Sequence, residues 1–503
     1  MSPLLLALFL QAGYDDLVAR GVELGRSGQL DEARLSLDRA VALNPQAAAA
    51  WRERGGLYFL SHDYGAAARD LEKAWQLQRD DYTARMLGNA QSLLGHHAEA
   101  LESWNEAGVP LVHLVRITGQ QKLPRRMIRR EITASEGGLL TASQFRVSQL
   151  RLDESGFGEA RLRTVPVEEG IVDLEVALNE AHGFGPWHMF LGRQAAYAFS
   201  SKVKLTYRNL LPGITVGGEY KWEDTQPRLA GQLDWVRPAG LGFNARLYGI
   251  TTRPEYNLEG PLTMRSHGVD VAGRRVIGPS WVGELGLRTR TRTFTRERPD
   301  TPDGRWTGLD VGVDRYLLQE GRHRAMVSAR LFHTAGLLGS DLEFGRGALA
   351  ARYEGVLAGY DGSRMPGSQL AARVLVGRGT SGTPLDEMFA PGTASEADYP
   401  LRARKQKSGG VLGPTAIGRD LSLVNVEWRQ RLFRVGESVR FGAVVFYDGA
   451  RVRETAQGAD AIYHDAGGGL RLAIGSALFR LDYGFSLTGD GKNALTVGLG
   501  QVF

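Results

Sequence analysis

The chain is 503 residues long, with 65 glycines, no cysteine and a formal charge of +5. That length exceeds one ordinary core, so two or three domains are expected; the missing cysteines exclude disulfide staples, thiolate metal sites and cysteine nucleophiles. Basic residues are spread through the expected strands, often facing acidic ones, and form no long block, which argues against a nucleic-acid partner.

Residues 1–13 read as a short signal peptide: Met1-Ser-Pro, an apolar run from Leu4 to Leu10, then Gln11-Ala12-Gly13 with a cut after Ala12. No Lys or Arg precedes the apolar run. No later stretch approaches the roughly 18 apolar residues of a membrane-spanning helix, so any insertion must use strands.

Residues 14–108 carry an internal repeat. Gly21, Ala33 and Ala40 recur 34 positions later as Gly55, Ala67 and Ala74, then 33 positions later as Gly88, Ala100 and Ala107. Small residues at such fixed spacing are wanted where paired helices touch. Trp51, Gly55, Tyr58, Ala67, Leu71 and Ala74 resemble the core of a tetratricopeptide (TPR) unit, and the segment resembles three of them. The resemblance implies an all-α solenoid whose groove holds a peptide or a periplasmic partner protein. His96 and His97 are neighbours on a helical turn, face different ways and are expected to be solvated.

Residues 109–182 change grammar. Short β runs are expected at Val112 to Thr118, Ala160 to Val165 and Ile171 to Leu178, with helices at Pro124 to Glu131 and Thr141 to Asp153. This β-α-α-β-β order, with Gly137-Gly138-Leu139-Leu140-Thr141 before the second helix and Gly156-Phe157-Gly158 before the second strand, resembles the polypeptide-transport-associated (POTRA) domain. Two roles stay open: a sheet edge that accepts an extended client strand, or a spacer.

Residues 183–503 read as a 16-stranded antiparallel transmembrane β-barrel, with strands expected at 188–198, 201–209, 213–223, 226–237, 240–252, 263–274, 279–293, 306–318, 322–334, 345–358, 367–378, 419–431, 437–450, 463–474, 477–487 and 494–503. Period-two alternation carries this reading. Ala477, Phe479, Leu481, Tyr483 and Phe485 share one face, while Arg480, Asp482, Gly484 and Ser486 share the other. A glycine-rich connection, 379–418, is too long for an ordinary turn and marks function.

Tyr399-Pro400-Leu401-Arg402-Ala403 resembles the loop motif of the bacterial surface antigen family, the outer-membrane assembly and translocation barrels of BamA and TamA type. Further matches follow in order: Asn425-Val426-Glu427-Trp428-Arg429, Val445-Phe446-Tyr447-Asp448-Gly449, Gly467-Gly468-Gly469-Leu470-Arg471, Arg480-Leu481-Asp482-Tyr483-Gly484 and Gly500-Gln501-Val502-Phe503. Ala403 replaces the motif glycine, and Arg404 stands where an aromatic belongs; since Ala tolerates positive φ poorly, a different turn is expected at the loop tip.

Facing predicts the loop's anchor. Glu427 and Asp448 both point into the lumen, so Leu401-Arg402-Ala403 is expected to fold inward with Arg402 pairing one or both carboxylates. Gly498 and Gly500, with Phe503 at the end, are expected to make the last strand a weak seam.

The resemblance implies a non-enzymatic protein at the cell outer membrane, in contact with its lipid. It would assist insertion, assembly or translocation of client polypeptides, with the TPR and POTRA parts in the periplasm. The alternative is a gated or plugged pore lined by Glu284, Arg288, Arg290, Arg292, Arg330, Arg471, Arg480 and Asp482. No nucleophile elbow, zinc-protease helix or phosphate-binding loop is present in the sequence, and no cofactor or metal is expected.

Overall fold

A computed structural model describes residues 3–198, 202–222, 227–236, 243–252, 255–258, 260–296, 298–319, 322–359, 365–392, 399–404, 407–408, 411–412, 415–436, 439–474 and 477–502. The chain divides into two units: Met1–Gln120 with Ile128–Leu152 and Glu159–Asn179, and Gln121–Met127 with Asp153–Gly158 and Glu180–Phe503.

In the first unit six helices, α1 (Pro3–Arg26), α2 (Leu30–Leu43), α3 (Ala48–Leu60), α4 (Tyr64–Leu77), α5 (Asp81–Leu93) and α6 (His97–Glu106), pack as successive hairpins. The repeat has a steric cause. Gly21 lies against Leu37, Gly55 against Leu71 and Gly88 against Trp104, each sixteen positions on. A Cβ at Gly55 would come within 2.8 Å of Leu71 Cγ, so glycine sets how closely each pair approaches. Ala33, Ala40, Ala67, Ala74 and Ala100 are fully buried beside them.

Neighbouring hairpins are riveted by Arg54. It donates to Asp70 through Nε (2.6 Å) and Nη2 (3.0 Å) and to Asp38 through Nη1 (2.7 Å). Its guanidinium sits 4.8 Å from the centre of the Trp51 ring, and Trp51 Nε1 donates to Pro45 O. Tyr58 packs on the Ala67, Leu71, Leu87 and Ala90 cluster.

After α6 come β1 (Leu111–Thr118), α7 (Arg125–Glu131), α8 (Ala142–Glu154), β2 (Gly158–Glu168) and β3 (Ile171–Glu180), with sheet order β1-β3-β2 and β1 parallel to β3. The element order is the one expected for 109–182. Val112, Ile117, Ile128, Leu140, Phe145, Leu174 and Val176 form its interior. Asn105 of α6 clamps this domain by donating to Leu140 O and accepting from Ala142 N.

His97 differs from expectation. It is not solvated but packs its ring on Phe145 and bonds Thr164 Oγ1 at 3.1 Å, and burial, with help from Arg163, pushes its pKa down to about 4.

The second unit is a closed barrel. It opens not with the strand expected at 188–198 but with α9 (Trp187–Ala198). Gly183 and Gly185, at φ +60 and +78, turn the chain, and the helix begins after Pro186, with Phe190 N bonded to Pro186 O. Its large apolar residues, Trp187, Phe190 and Leu191, fall at helical rather than alternating spacing.

The remaining expected segments are strands: β4 (Lys202–Leu211), β5 (Ile214–Lys221), β6 (Arg228–Val236), β7 (Phe243–Thr252), then, beyond the short β8 (Glu255–Asn257), β9 (Pro261–Gly278), β10 (Trp281–Phe294), β11 (Gly304–Leu318), β12 (His323–Thr334), β13 (Gly345–Ala358) and β14 (Ser368–Gly379). The long connection holds a two-residue pair, β15 (Lys407–Ser408) and β16 (Val411–Leu412), before β17 (Gly418–Val435), β18 (Val439–Thr455), β19 (Ala461–Ile474), β20 (Ala477–Ser486) and β21 (Asn493–Leu499).

Successive wall strands pair antiparallel, and β14 pairs directly with β17 (Leu370 opposite Trp428, Arg378 opposite Asp420), so the described residues between them are no part of the wall. The barrel inverts the usual arrangement. Leu285, Val311, Leu331, Leu349, Val445, Leu470 and Leu495 are exposed on the outside, whereas Asn425, Glu427, Asp448, Asp465 and Asp482 are fully buried within. An apolar exterior with a charged lumen suits hydrocarbon outside.

Candidate functional site in the barrel lumen

Leu401, Arg402, Ala403 and Arg404 are all buried. A tight turn closes from Arg404 N to Leu401 O, and Leu401 inserts beside Leu375, Phe389, Leu421, Leu423, Ala450 and Val452. Among the described residues the non-glycine positions with positive φ are His62, Asn209 and Glu454, so Ala403 carries no left-handed strain and the loss of the motif glycine costs the turn nothing.

Glycine matters instead on the wall beneath. A Cβ at Gly484 of β20 would lie 2.6 Å from the Arg402 carbonyl carbon and 2.7 Å from Ala403 N. Only a bare backbone lets the loop tip settle there. Gly467 of β19 clears room in the same way for the Phe446 ring, whose edge would stand 2.5 Å from an added Cβ.

Arg402 meets both expected carboxylates. Nε and Nη2 form a bidentate pair with Asp448 at 2.8 and 2.7 Å, its own backbone N–H donates to Asp448 at 3.0 Å, and Nη1 donates to Glu427. The guanidinium plane lies over Phe446, 3.5 Å from the ring centre.

Asn425 fixes the acceptor by donating to Asp448 (2.8 Å) and to Pro400 O (3.0 Å). Glu427 also accepts from Arg429 Nε at 2.7 Å, and Arg471 donates to Asp482 at 2.5 Å. Three guanidiniums, Arg402, Arg429 and Arg471, thus face three carboxylates, Glu427, Asp448 and Asp482, and a buried network of this kind persists only when charges balance.

Arg404 is the functional residue that motif reasoning missed. Treated as a replaced aromatic, it is a second anchor: it donates to Asp465 at 3.0 Å, to Ser486 Oγ and Thr488 Oγ1 at 2.6 Å each, and to Asp490, while stacking 4.2 Å from the centre of Tyr463. One signal was available. Asp465 sits on the inward face of β19 in step with Gly467 and Gly469, an acid that requires a cation.

The other end of the loop grips a different wall. Asp386 accepts from Arg292 of β10, Glu387 lies 3.5 Å from Arg288 and 3.6 Å from Arg346, and Arg346 Nη1 donates to Glu387 O at 2.9 Å. Leu385 and Met388 pack with Tyr256, Leu258, Leu262, Met264, Phe294 and Ile417. The Phe389 ring packs against Gly377, where an added Cβ would meet it, and Leu412 pairs with Tyr256 of β8. In the ring of strands β11, β12, β13 and β14 separate β10 from β17, so one loop ties two distant parts of the wall together.

The residues expected to line a gated or plugged pore are engaged in ion pairs. Glu284 meets Arg274 (3.0 Å), Arg290 meets Asp270 (2.8 Å), Arg330 meets Asp314 (2.8 Å) and Arg480 lies 3.8 Å from Asp482. Among the described residues no group of three His, Asp or Glu is placed to hold a metal ion.

The C-terminal seam differs from expectation in one respect. Gly498 lies on β21 with the Arg480 guanidinium over it, 2.5 Å from where a Cβ would stand. Gly500 is not in the strand: β21 ends at Leu499, and Gly500, at φ +76, turns the chain. That turn breaks the alternation and brings the Gln501 amide oxygen within 3.3 Å of Arg471 Nε. Phe503 lies outside the described residues.

The architecture is thus a β-barrel whose lumen is crossed by a doubly anchored loop. No family model and no curated protein sequence matches the chain. Among solved structures the chain is similar to CdiB from Escherichia coli, at 13% identity over 86% of each chain with a TM-score of 0.54. BamA from Haemophilus ducreyi lacking POTRA domains 1–3 matches at 15% identity, over 78% of this chain and 85% of that one, with a TM-score of 0.45. The likeness to CdiB shows a shared fold.

Proposed function

We propose that this is an outer-membrane protein that assists insertion, assembly or translocation of other polypeptides. The helical hairpins act as a TPR array and the β-α-α-β-β domain as a POTRA domain, both in the periplasm, recruiting clients or a partner. The carrying observation is the lumen loop, held by Arg402 and Arg404 at one end and by Asp386 and Glu387 at the other. A loop anchored this way occupies the lumen, so work on a polypeptide would use strand edges or a displaced loop. The short β21 supports the same reading, because a seven-residue strand gives the ring few ladder bonds where it closes.

Deletion followed by comparison of the whole outer-membrane protein profile tests this. Loss of many barrels marks general assembly, loss of one marks a dedicated route, and an unchanged profile contradicts both. A plugged export channel is the second reading, favoured by the same loop; it requires steady conductance in planar bilayers once the loop is released.

A further inference from the structure

The first barrel strand is covered by the chain that leads into it. In an antiparallel ladder successive residues aim their N–H and C=O groups at alternate neighbours. β5 takes one set from β4. Two positions of the other set are occupied from within the connector 181–198. Arg208 exchanges both backbone bonds with Gly183, Gly183 N to Arg208 O at 2.8 Å and Arg208 N to Gly183 O at 3.0 Å. Lys204 is met by a side chain: Gln194 Nε2 donates to Lys204 O at 2.7 Å, and Lys204 N donates to Gln194 Oε1 at 3.4 Å.

A carboxamide carries the donor and acceptor of a peptide bond, so Gln194 does for Lys204 what a residue of an adjacent strand would do. The cover is held in place from three sides. Phe184 packs its ring edge-on against Tyr207 at 5.1 Å, Arg193 Nη2 donates to Phe184 O, and Asn209 Nδ2 donates to Ala181 O at 2.6 Å. At its other flank α9 touches β21, and Gly192 faces the Phe479 ring, 3.5 Å from where a Cβ would stand. Helix α9 therefore lies where the first and last strands of the ring meet.

We propose that residues 181–198 are a built-in competitor for the β4 edge, and that the ligand they exclude is an extended polypeptide segment presenting backbone N–H and C=O groups. This rests on the polypeptide-handling role above and adds its control: a client strand pairs with β4 only after Gln194 releases Lys204 and β21, the neighbour of β4 in the closed ring, parts from it. A connector that supplies one side-chain amide at Lys204 and one backbone pair at Arg208 makes fewer ladder bonds than a full strand, so the exchange favours the client.

The natural chain has no cysteine, so introduced thiols are unique. Full-length G192C/F479C, joined by a short reducible bifunctional reagent, pins α9 to β20. In proteoliposomes the wild type should accelerate folding of a urea-unfolded eight-stranded outer-membrane barrel; the pinned protein should fall to the level of empty liposomes and recover on reduction. Independently of any client, Q194A should speed hydrogen exchange at the Lys204 amide by roughly fivefold, the factor for one net hydrogen bond. Active wild type with an equally active pinned protein overturns the cover and leaves the function standing. Inactive wild type overturns the function, and the exchange measurement then decides the cover alone: an unchanged Lys204 rate rejects it.

Discussion

Leu60 in the helical unit and Leu285 on the barrel wall are 62% and 61% exposed, yet they belong to regions built on opposite plans. In helices α2 to α6 alanine and leucine fill the interior, and the Arg54 guanidinium is wrapped by Asp38, Asp70 and Trp51. In the barrel the interior holds Arg402, Arg404, Glu427, Asp448, Asp465 and Asp482, and the leucines face out. The difference teaches that exposure alone says nothing about cost; the surrounding solvent sets the sign. Both regions still obey one rule, that a buried guanidinium is met by fixed carboxylates and an aromatic face.

The comparison can be broken most severely at Arg402. Arg402→Ala leaves Glu427 and Asp448 facing each other without their shared cation and should cost about 3–5 kcal/mol. The temperature at which the folded gel band converts to the unfolded one should drop, and 379–418 should become protease-sensitive; no change in either contradicts the latch.

Next comes the leucine pair. Leu285→Arg should destabilise by about 2–4 kcal/mol in lipid, whereas Leu60→Arg should stay within about 0.5 kcal/mol. Equal effects in thermal unfolding of the two regions would erase the distinction.

Gly88→Ala drives a Cβ into Trp104 and should cost about 1–3 kcal/mol. It should lower the unfolding midpoint of the helical unit and leave the barrel's unchanged.

The smallest effect concerns pH. Burial pushes the Glu131 carboxyl up to about 7 despite the nearby Arg151. Its native state therefore holds a proton that the unfolded chain has released, so its favourable contribution is full below the ordinary carboxylate range and is lost as pH rises through about 7. Glu131→Gln should match the wild type at acid pH and unfold a few degrees higher at pH 8, as followed by circular dichroism of the helical unit.

Much of this could be read before the structure, because period two and the fixed glycine spacing are imposed by geometry that every residue must satisfy. The pairing of Arg402 with Glu427 and Asp448 was expected from two readings together, the loop motif that singles out Arg402 and the facing that puts both carboxylates in the lumen. What escaped depended on exceptions to a period. Trp187, Phe190 and Leu191 are as apolar as a strand, and only their spacing betrays a helix. Gly500 inverts the alternation through a backbone angle that composition does not display. Arg404 was hidden because its partners, Asp465, Ser486, Thr488 and Asp490, come together only when β19 and the β20–β21 turn are folded.

The most direct measurement is flotation. Full-length protein refolded with lipid vesicles should rise with them in a density gradient, resist alkaline extraction and keep a heat-dependent shift in gel mobility. Recovery of the natively folded chain in the aqueous fraction, without detergent or lipid, would contradict a wall that faces hydrocarbon.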